Sequence, residues 1–273
     1  MIAPYLQDPD MTLYHGDALT VLRELFTDSI DACITSPPYL DARPEYPSPD
    51  LRKFEEIAFE LHRVVTGGLA LNVGRLWRDN RELRWWEGLV QRFENVGWKH
   101  LDTLVWIKPN ANPIHGAVLA HSHEYAFLMG DHPSVFYPDA VRTPYAEGSE
   151  ARLERSWDNS RAVKNDGEGH QDRRDANPLG ARARSFVSIY VGKEKGIRHP
   201  APMAFDFAKH LILLTVPNGG SVIDPFAGSG TTALAARYHD RSAILIELSK
   251  EYASEAAERL QQQSLFAGEE GYE

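Results

Sequence analysis

Two stretches carry residues able to do chemistry, and they lie far apart in the chain. The first is Thr35-Ser36-Pro37-Pro38-Tyr39. It follows an apolar run, Ile30 to Ile34, that reads as a buried strand. Neither proline has an N–H to donate to a sheet ladder, so the strand must stop there. What remains is a stiff turn presenting the Ser36 hydroxyl, two proline carbonyls and the ring of Tyr39. In an open α/β sheet, the C-terminal edge of the strands is the edge that binds ligands.

The second stretch is Asp224-Pro225-Phe226-Ala227-Gly228-Ser229-Gly230-Thr231-Thr232. It reads as a strand end, a glycine-rich turn and a helix start. Gly228 and Gly230 let the backbone turn tightly and approach a ligand without a Cβ in the way. The helix N-terminus beyond them offers N–H groups and a positive dipole end to an anion. The next strand ends at Glu247, about the distance at which an acidic residue binds a ribose diol. These features describe a site for a nucleoside-containing cofactor. A P-loop would need a Lys before the threonines, and none is present. A dinucleotide site, an S-adenosylmethionine site and a tight turn without ligand all remain open on this motif alone.

The elements that must position these stretches alternate between strand and helix. Strands are predicted at Leu13–Tyr14, Ile30–Ile34, Leu69–Val73, Leu101–Ile107, Glu124–Met129, Phe186–Val191, Ser221–Asp224 and Ala243–Ile246. Helical spacing predicts helices over Ala18–Phe26, Leu51–Val65, Asn80–Asn95, Pro200–Val216, from Ala233, and over Glu251–Gln263. That alternation is the pattern of an α/β layered, mostly parallel sheet. Leu40–Asp50 is rich in turn formers and reads as a flap, Asn159–Asn177 as a polar mobile stretch, and Ala267–Glu273 as a frayed tail.

Of the 273 residues, 42% are hydrophobic and 25% charged, ordinary for a soluble protein. No apolar run approaches the roughly 20 residues of a membrane span, and no signal peptide is evident; the expected setting is cytoplasmic. The single cysteine, Cys33, excludes an internal disulfide framework and reads as a small buried hydrophobe. Net charge is −10, which argues against nucleic-acid binding by the whole surface. Residues 151–200 nonetheless hold eleven Lys or Arg against seven Asp or Glu. A basic insert on an acidic body is either a phosphate-contacting face or a solvated loop of mixed charge. His121 and His123 lack any HExxH or cysteine companion, so no metal site is expected.

Taken together, Ser-Pro-Pro-Tyr after one strand and Asp-Pro-Phe-Ala-Gly-Ser-Gly after another resemble the β group of amino-directed DNA methyltransferases. In that group the Pro-Pro turn comes first and the glycine turn late. The resemblance implies a Rossmann-like S-adenosylmethionine-dependent methyltransferase fold: a mixed, mostly parallel sheet with helices on both faces, in permuted motif order. It implies a catalytic and cofactor-binding domain over residues 1–130 and 199–273, and a small target-recognition region over 131–198. S-adenosyl-L-methionine is the implied cofactor. Asp224, Pro225, Phe226, Gly228, Ser229 and Gly230 would cradle its methionine part. Thr231 and Thr232 would bond its carboxylate, and Glu247 its ribose hydroxyls. Asp17, followed by Ala18, would meet the adenine edge, although an Asp before a helix is also an ordinary N-cap. Thr35 joins the cofactor-binding set, and His199-Pro200 match the motif that closes that pocket.

The implied partner is duplex DNA, with phosphate or base contacts from Lys108, Arg152, Arg155, Arg173, Arg174, Arg182 and Arg184. The resemblance leaves a homodimer and a separately acting restriction endonuclease open as further partners, and gives no membrane role. The implied reaction places Ser36, Pro37, Pro38 and Tyr39 at the acceptor. An exocyclic amino group is a poor nucleophile because its lone pair is delocalised into the ring. Two acceptors aimed at its hydrogens, Ser36 Oγ and the Pro37 carbonyl, would favour a more tetrahedral nitrogen, and Tyr39 would stack on a flipped-out base. The Ser form of the turn is associated with N4 of cytosine, the expected target; N6 of adenine is the alternative. A non-catalytic DNA-binding protein and a nicotinamide-dependent oxidoreductase are the competing classes. Asn110 is read as either a base-edge contact or a turn residue.

Overall fold

The computed structural model describes residues 2–38, 50–111, 119–145, 177–192 and 202–266. The chain divides into two compact units, one formed by Met1–Tyr137 with Ser185–Glu273 and one by Pro138–Arg184.

The larger unit is built on a nine-stranded sheet. Its elements are β1 (Leu6–Gln7), β2 (Met11–His15), α1 (Ala18–Leu22), β3 (Ala32–Thr35), α2 (Leu51–Val64), β4 (Leu69–Gly74), β5 (Leu76–Arg78), β6 (Arg81–Leu83) and α3 (Trp85–Asn95). Then follow β7 (Lys99–Ile107), β8 (His123–Gly130), β9 (Phe186–Ser188), α4 (Phe205–Thr215), β10 (Ser221–Asp224), α5 (Thr231–Tyr238), β11 (Ser242–Glu247) and α6 (Lys250–Phe266). The spatial order is β1-β2-β11-β10-β3-β4-β8-β7-β9, with β5 and β6 forming a separate hairpin. The run β2-β11-β10-β3-β4 is parallel throughout, and β9 joins β7 in parallel. The pairs β1-β2, β4-β8 and β7-β8 are antiparallel.

Every residue of β3 and β4 is buried, as expected of central strands covered on both faces. Cys33 of β3 and Leu69, Leu71 and Val73 of β4 pack into one core with α1, α2 and α3. On α2 that face is Phe54, Ile57, Ala58, Leu61 and Val64, the i, i+3, i+4 stripe of an amphipathic helix. Asp50 starts α2 by accepting from the Lys53 N–H at 2.8 Å. After α2 the chain passes close to β3: a Cβ at Gly67 would sit 2.3 Å from the Asp31 carbonyl oxygen, so only glycine fits.

Four local expectations are corrected. Helix α1 stops at Leu22 and does not reach Phe26, which is 83% exposed. The Arg63 guanidinium of α2 donates to the carbonyls of Leu22 and Leu25, satisfying the helix end and letting the chain leave. The helix expected from Asn80 begins at Trp85. Asp79 and Asn80 both have left-handed backbones (φ 51° and 57°), which closes a two-residue turn between β5 and β6. The Trp85 indole then donates to the Gly74 carbonyl at 3.1 Å and pins the start of α3 to the end of β4. Helix α4 begins at Phe205, and β9 ends at Ser188, three residues short of the expected Val191.

In the smaller unit, Thr143 and Ala181 form an isolated antiparallel bridge. Gly180 has φ 101° and approaches Thr143 so closely that a Cβ would lie 2.3 Å from its carbonyl oxygen. The Tyr145 hydroxyl accepts from the Asn177 N–H at 3.0 Å. The expected recognition region, 131–198, contains this unit, while Asp131–Tyr137 and the residues from Ser185 belong to the larger one. Residues 40–49 of the expected flap Leu40–Asp50, residues 159–176 of the polar stretch Asn159–Asn177 and the tail 267–273 lie outside the described residues. No helix among the described residues is long and apolar enough to cross a membrane.

Candidate active site

Chain direction diverges between β10 and β3. From β10 the chain winds through α5 to β11 on one side, and from β3 it winds through α2 to β4 on the other. The carboxyl ends of such a pair flank a crevice, the ordinary ligand site of an open α/β sheet. Here one end bears the Pro-Pro turn and the other bears the glycine turn.

Asp224, at the end of β10, is the hub of the crevice. It is 3% exposed. One carboxylate oxygen accepts from the Thr35 hydroxyl at 2.8 Å and from the Phe226 N–H at 3.1 Å. The other accepts from the Thr232 hydroxyl at 2.6 Å. Burial pushes its pKa up to about 6, against the opposing effect of these three bonds; the Glu247 charge pushes the same way as burial. The same burial, with the Asp224 charge, holds the Cys33 thiol well above its ordinary range. Cys33 is thus a fully buried hydrophobe and no nucleophile.

The glycine turn is left-handed at Gly228 (φ 54°) and Gly230 (φ 80°). Gly230 occupies the N-cap position of α5, which has no side-chain cap. Thr231 and Thr232 follow in its first turn, and both are buried. The turn is braced from outside: Ala227 N–H donates to the Ile246 carbonyl at 3.0 Å, and Arg259 of α6 donates to the Ser229 carbonyl at 2.6 Å. Pro225 is buried, and the half-buried Phe226 ring meets Phe54 edge-on at 5.9 Å. Glu247, at the end of β11, accepts from the Gly228 and Ser249 N–H groups, each at 2.8 Å. Those bonds fix its buried carboxylate, 3% exposed, against the glycine turn.

Asp17 closes the same edge. The Gly16 N–H donates to the Glu247 carbonyl at 2.9 Å, which ties the Gly16-Asp17 turn to β11. Asp17 caps α1 through the Thr20 N–H and pairs with Lys53 at 2.6 Å. Burial raises its pKa, but the Lys53 and Thr20 bonds outweigh that and hold it below the usual value. Ala18 is buried behind it. The N-cap alternative is therefore realised, and Lys53 is a neighbour that the sequence reading did not single out.

On the acceptor side, Pro37 is buried while Ser36 and Pro38 are half-buried. Among the described residues the Ser36 hydroxyl has no partner. Tyr39 lies outside the described residues, as do His199, Pro200, Arg152, Arg155, Arg173 and Arg174. Arg182 and Arg184 are exposed on the smaller unit. Lys108 forms an ion pair with Glu124 and sits 4.4 Å over the Trp106 ring, so its charge is already engaged. Asn110 donates to the Val191 carbonyl and accepts from the Val191 N–H, at 3.0 and 2.9 Å. It is a backbone clamp, which favours the turn reading of Asn110 over the base-edge one.

The β5–β6 hairpin adds residues the sequence reading passed over. Arg75 forks onto Glu82 at 2.6 and 2.8 Å, and the Trp77 ring meets His121 edge-on at 5.6 Å. The alternation of Leu76-Trp77-Arg78 and Arg81-Glu82-Leu83 around Asp79-Asn80 was the available signal. His123 bonds the Tyr125 hydroxyl at 3.1 Å. Among the described residues no group of three or more His, Cys, Asp or Glu could hold a metal ion.

Known proteins resemble this chain in sequence and in fold. A type II methyltransferase of Bacillus subtilis, M.BglII, is 27% identical over 88% of this chain, which spans 66% of that protein's length. Among solved structures, the PvuII DNA methyltransferase (cytosine-N4-specific) superposes with a TM-score of 0.67 at 17% identity, covering 94% of this chain and 88% of that one. The M1.HpyAVI–SAM complex gives 0.60 at 21% identity, covering 92% and 98%. The fold is accordingly the Rossmann-like methyltransferase fold. The N6/N4 family model, described as DNA methylase, matches residues 30–258, a span that holds the Pro-Pro turn, the glycine turn and Glu247. With both turns set at one crevice and most of the chain matched, this protein belongs to the N6/N4 DNA methylase family.

Proposed function

We propose that this chain transfers a methyl group from S-adenosylmethionine to N4 of a cytosine swung out of duplex DNA. The observation that carries the reading is the juxtaposition at the crevice: the Ser36 turn ends β3 where the glycine turn ends β10, and among the described residues the Ser36 hydroxyl is uncommitted. The residues present fit the cofactor. Two left-handed glycines keep Cβ atoms out of the turn, the uncapped N-terminus of α5 suits a carboxylate, and Glu247 is held for a ribose. Bound there, S-adenosylmethionine supplies an electrophilic methyl group on a positively charged sulfur.

The chain's own residues then do three things. Asp224 to Thr232 and Glu247 hold the donor. Ser36 Oγ and the Pro37 carbonyl accept hydrogen bonds from the amino group, which draws the nitrogen lone pair out of the ring, and one amino hydrogen leaves as a proton to solvent once the nitrogen is methylated. The stiffness of the Pro-Pro turn keeps those acceptors in place, so that the reaction gains from orientation without a covalent intermediate. Tyr39 stacks on the base, and the basic residues of 131–198, Arg182 and Arg184 among them, contact phosphates.

The test is transfer of tritiated methyl groups from S-adenosylmethionine to duplex DNA, followed by digestion to nucleosides. N4-methylcytosine is expected, with loss of transfer in Ser36→Ala. N6-methyladenine would move the target to adenine within the same site. No transfer to any duplex, or undiminished transfer by Ser36→Ala, would overturn the reading.

A further inference from the structure

We propose that Thr35 is a positioning residue that sets the acceptor turn against the donor turn through the Asp224 carboxylate. The inference rests on the methyl-transfer reading and assigns Thr35 a part other than direct cofactor contact.

The paired register of β3 and β10 covers only Val222↔Ala32 and Ile223↔Cys33. Thr35 and Asp224 lie beyond those pairs, and the Thr35 hydroxyl bond to Asp224, 2.8 Å and buried, links the two strand ends. Three separate pieces of backbone converge on that one carboxylate: the residue before Ser36, the N–H of Phe226 inside the glycine turn, and Thr232 in the first turn of α5. Threonine is stiff at χ1, so its hydroxyl position is set by its backbone. From the other side, Thr35 is held to β4 by its pairing with Leu71. The acceptor turn therefore cannot slide relative to the donor turn without breaking a charge-assisted buried bond. In-line transfer between two separately held reactants is sensitive to such a slide, since a misplacement of about 1 Å costs about a hundredfold in rate.

The bridge also carries a pH signature. Both oxygens of Asp224 act as acceptors here, and protonation turns one into a donor. Titratable groups facing Asp224 are Glu247 from β11 and Cys33 from β3. Removing the Thr35 bond takes away an interaction that favours the carboxylate, so protonation would occur at higher pH.

The experiment is steady-state methyl transfer by the full-length protein, comparing wild type with Thr35→Val, which keeps shape and loses the hydroxyl, and with Thr35→Ser, which keeps it. Thr35→Val should lower kcat by about 10- to 100-fold, leave KM for S-adenosylmethionine and for DNA within about threefold, and move the acid limb of the kcat profile upward. Thr35→Ser should restore most of kcat and the wild-type limb. Should the valine variant not fold, Thr35→Ala removes the same hydroxyl without added bulk and reads the same quantities. An unchanged kcat, a serine variant no better than valine, or a rise in KM for S-adenosylmethionine with kcat intact would each overturn the proposal. Wild type without any transfer would overturn the methyl-transfer reading and this proposal with it, whereas wild-type transfer with an unaffected valine variant would overturn this proposal alone.

Discussion

Asp224→Asn makes a sharp prediction because the burial of its carboxyl gives the effect a definite sign. The carboxyl is buried, and burial pushes its pKa from the ordinary carboxylate value of 3.8 up to about 6. A carboxyl with a raised folded pKa binds its proton more tightly in the folded state. Its contribution to stability is full below about 3.8 and is lost as pH rises through about 6. Between pH 7.5 and pH 5, wild type should therefore gain about 1.4 kcal/mol relative to Asp224→Asn, roughly tenfold in the folding equilibrium. His121, His123, His210 and His239 work in the opposite direction, because burial depresses their pKa values and their stabilisation is lost as pH falls. They are common to both proteins and cancel in the difference. The assay is urea unfolding of both proteins without cofactor at the two pH values. A wild-type minus variant difference that stays constant, or that shrinks as pH falls, would refute the reasoning.

Gly230→Ala should lower the unfolding free energy by about 1–2 kcal/mol and weaken cofactor binding, because φ is 80° and the new Cβ would meet Ala256 Cβ at 3.1 Å; calorimetry with S-adenosylmethionine reads the second effect, and unchanged affinity would count against the turn as the cofactor cradle. Glu247→Gln leaves only one oxygen for the N–H groups of Gly228 and Ser249, so it should cost about 1–3 kcal/mol of stability by thermal melting and weaken cofactor binding as well. Binding of duplex DNA should weaken steeply with salt, with log K falling by about 0.9 per phosphate neutralised for each unit of log salt. A flat response in a filter-binding titration would remove the basic segment from the interface.

Much of the site was legible because its parts are local. Two adjacent prolines stop a strand wherever they occur, and Gly228-Ser229-Gly230 permits a left-handed turn that other residues resist. Alternation of strand and helix sufficed for the layered parallel sheet. The failures were also local in origin. The stretch from Asn80 has helical spacing, yet left-handed backbones at Asp79 and Asn80 turned its start into a hairpin. Asn110 left a base-edge and a turn reading open, and its bonds to the Val191 backbone favour the turn.

By itself the sequence determined which chemistries the chain can carry: an acceptor turn at Ser36, a cradle at Asp224 to Thr232 and an acidic residue at Glu247. Only the tertiary structure brings these pieces to one crevice. Strand β10 inserts beside β3 although Thr35 and Asp224 are 189 positions apart, and that choice depends on burying both faces of the whole sheet. No local pattern encodes such a register, because its free energy comes from neighbours that are distant in the chain. For the same reason the sequence placed Thr35 among the cofactor contacts, while the fold turned its hydroxyl onto the carboxylate that joins the two halves.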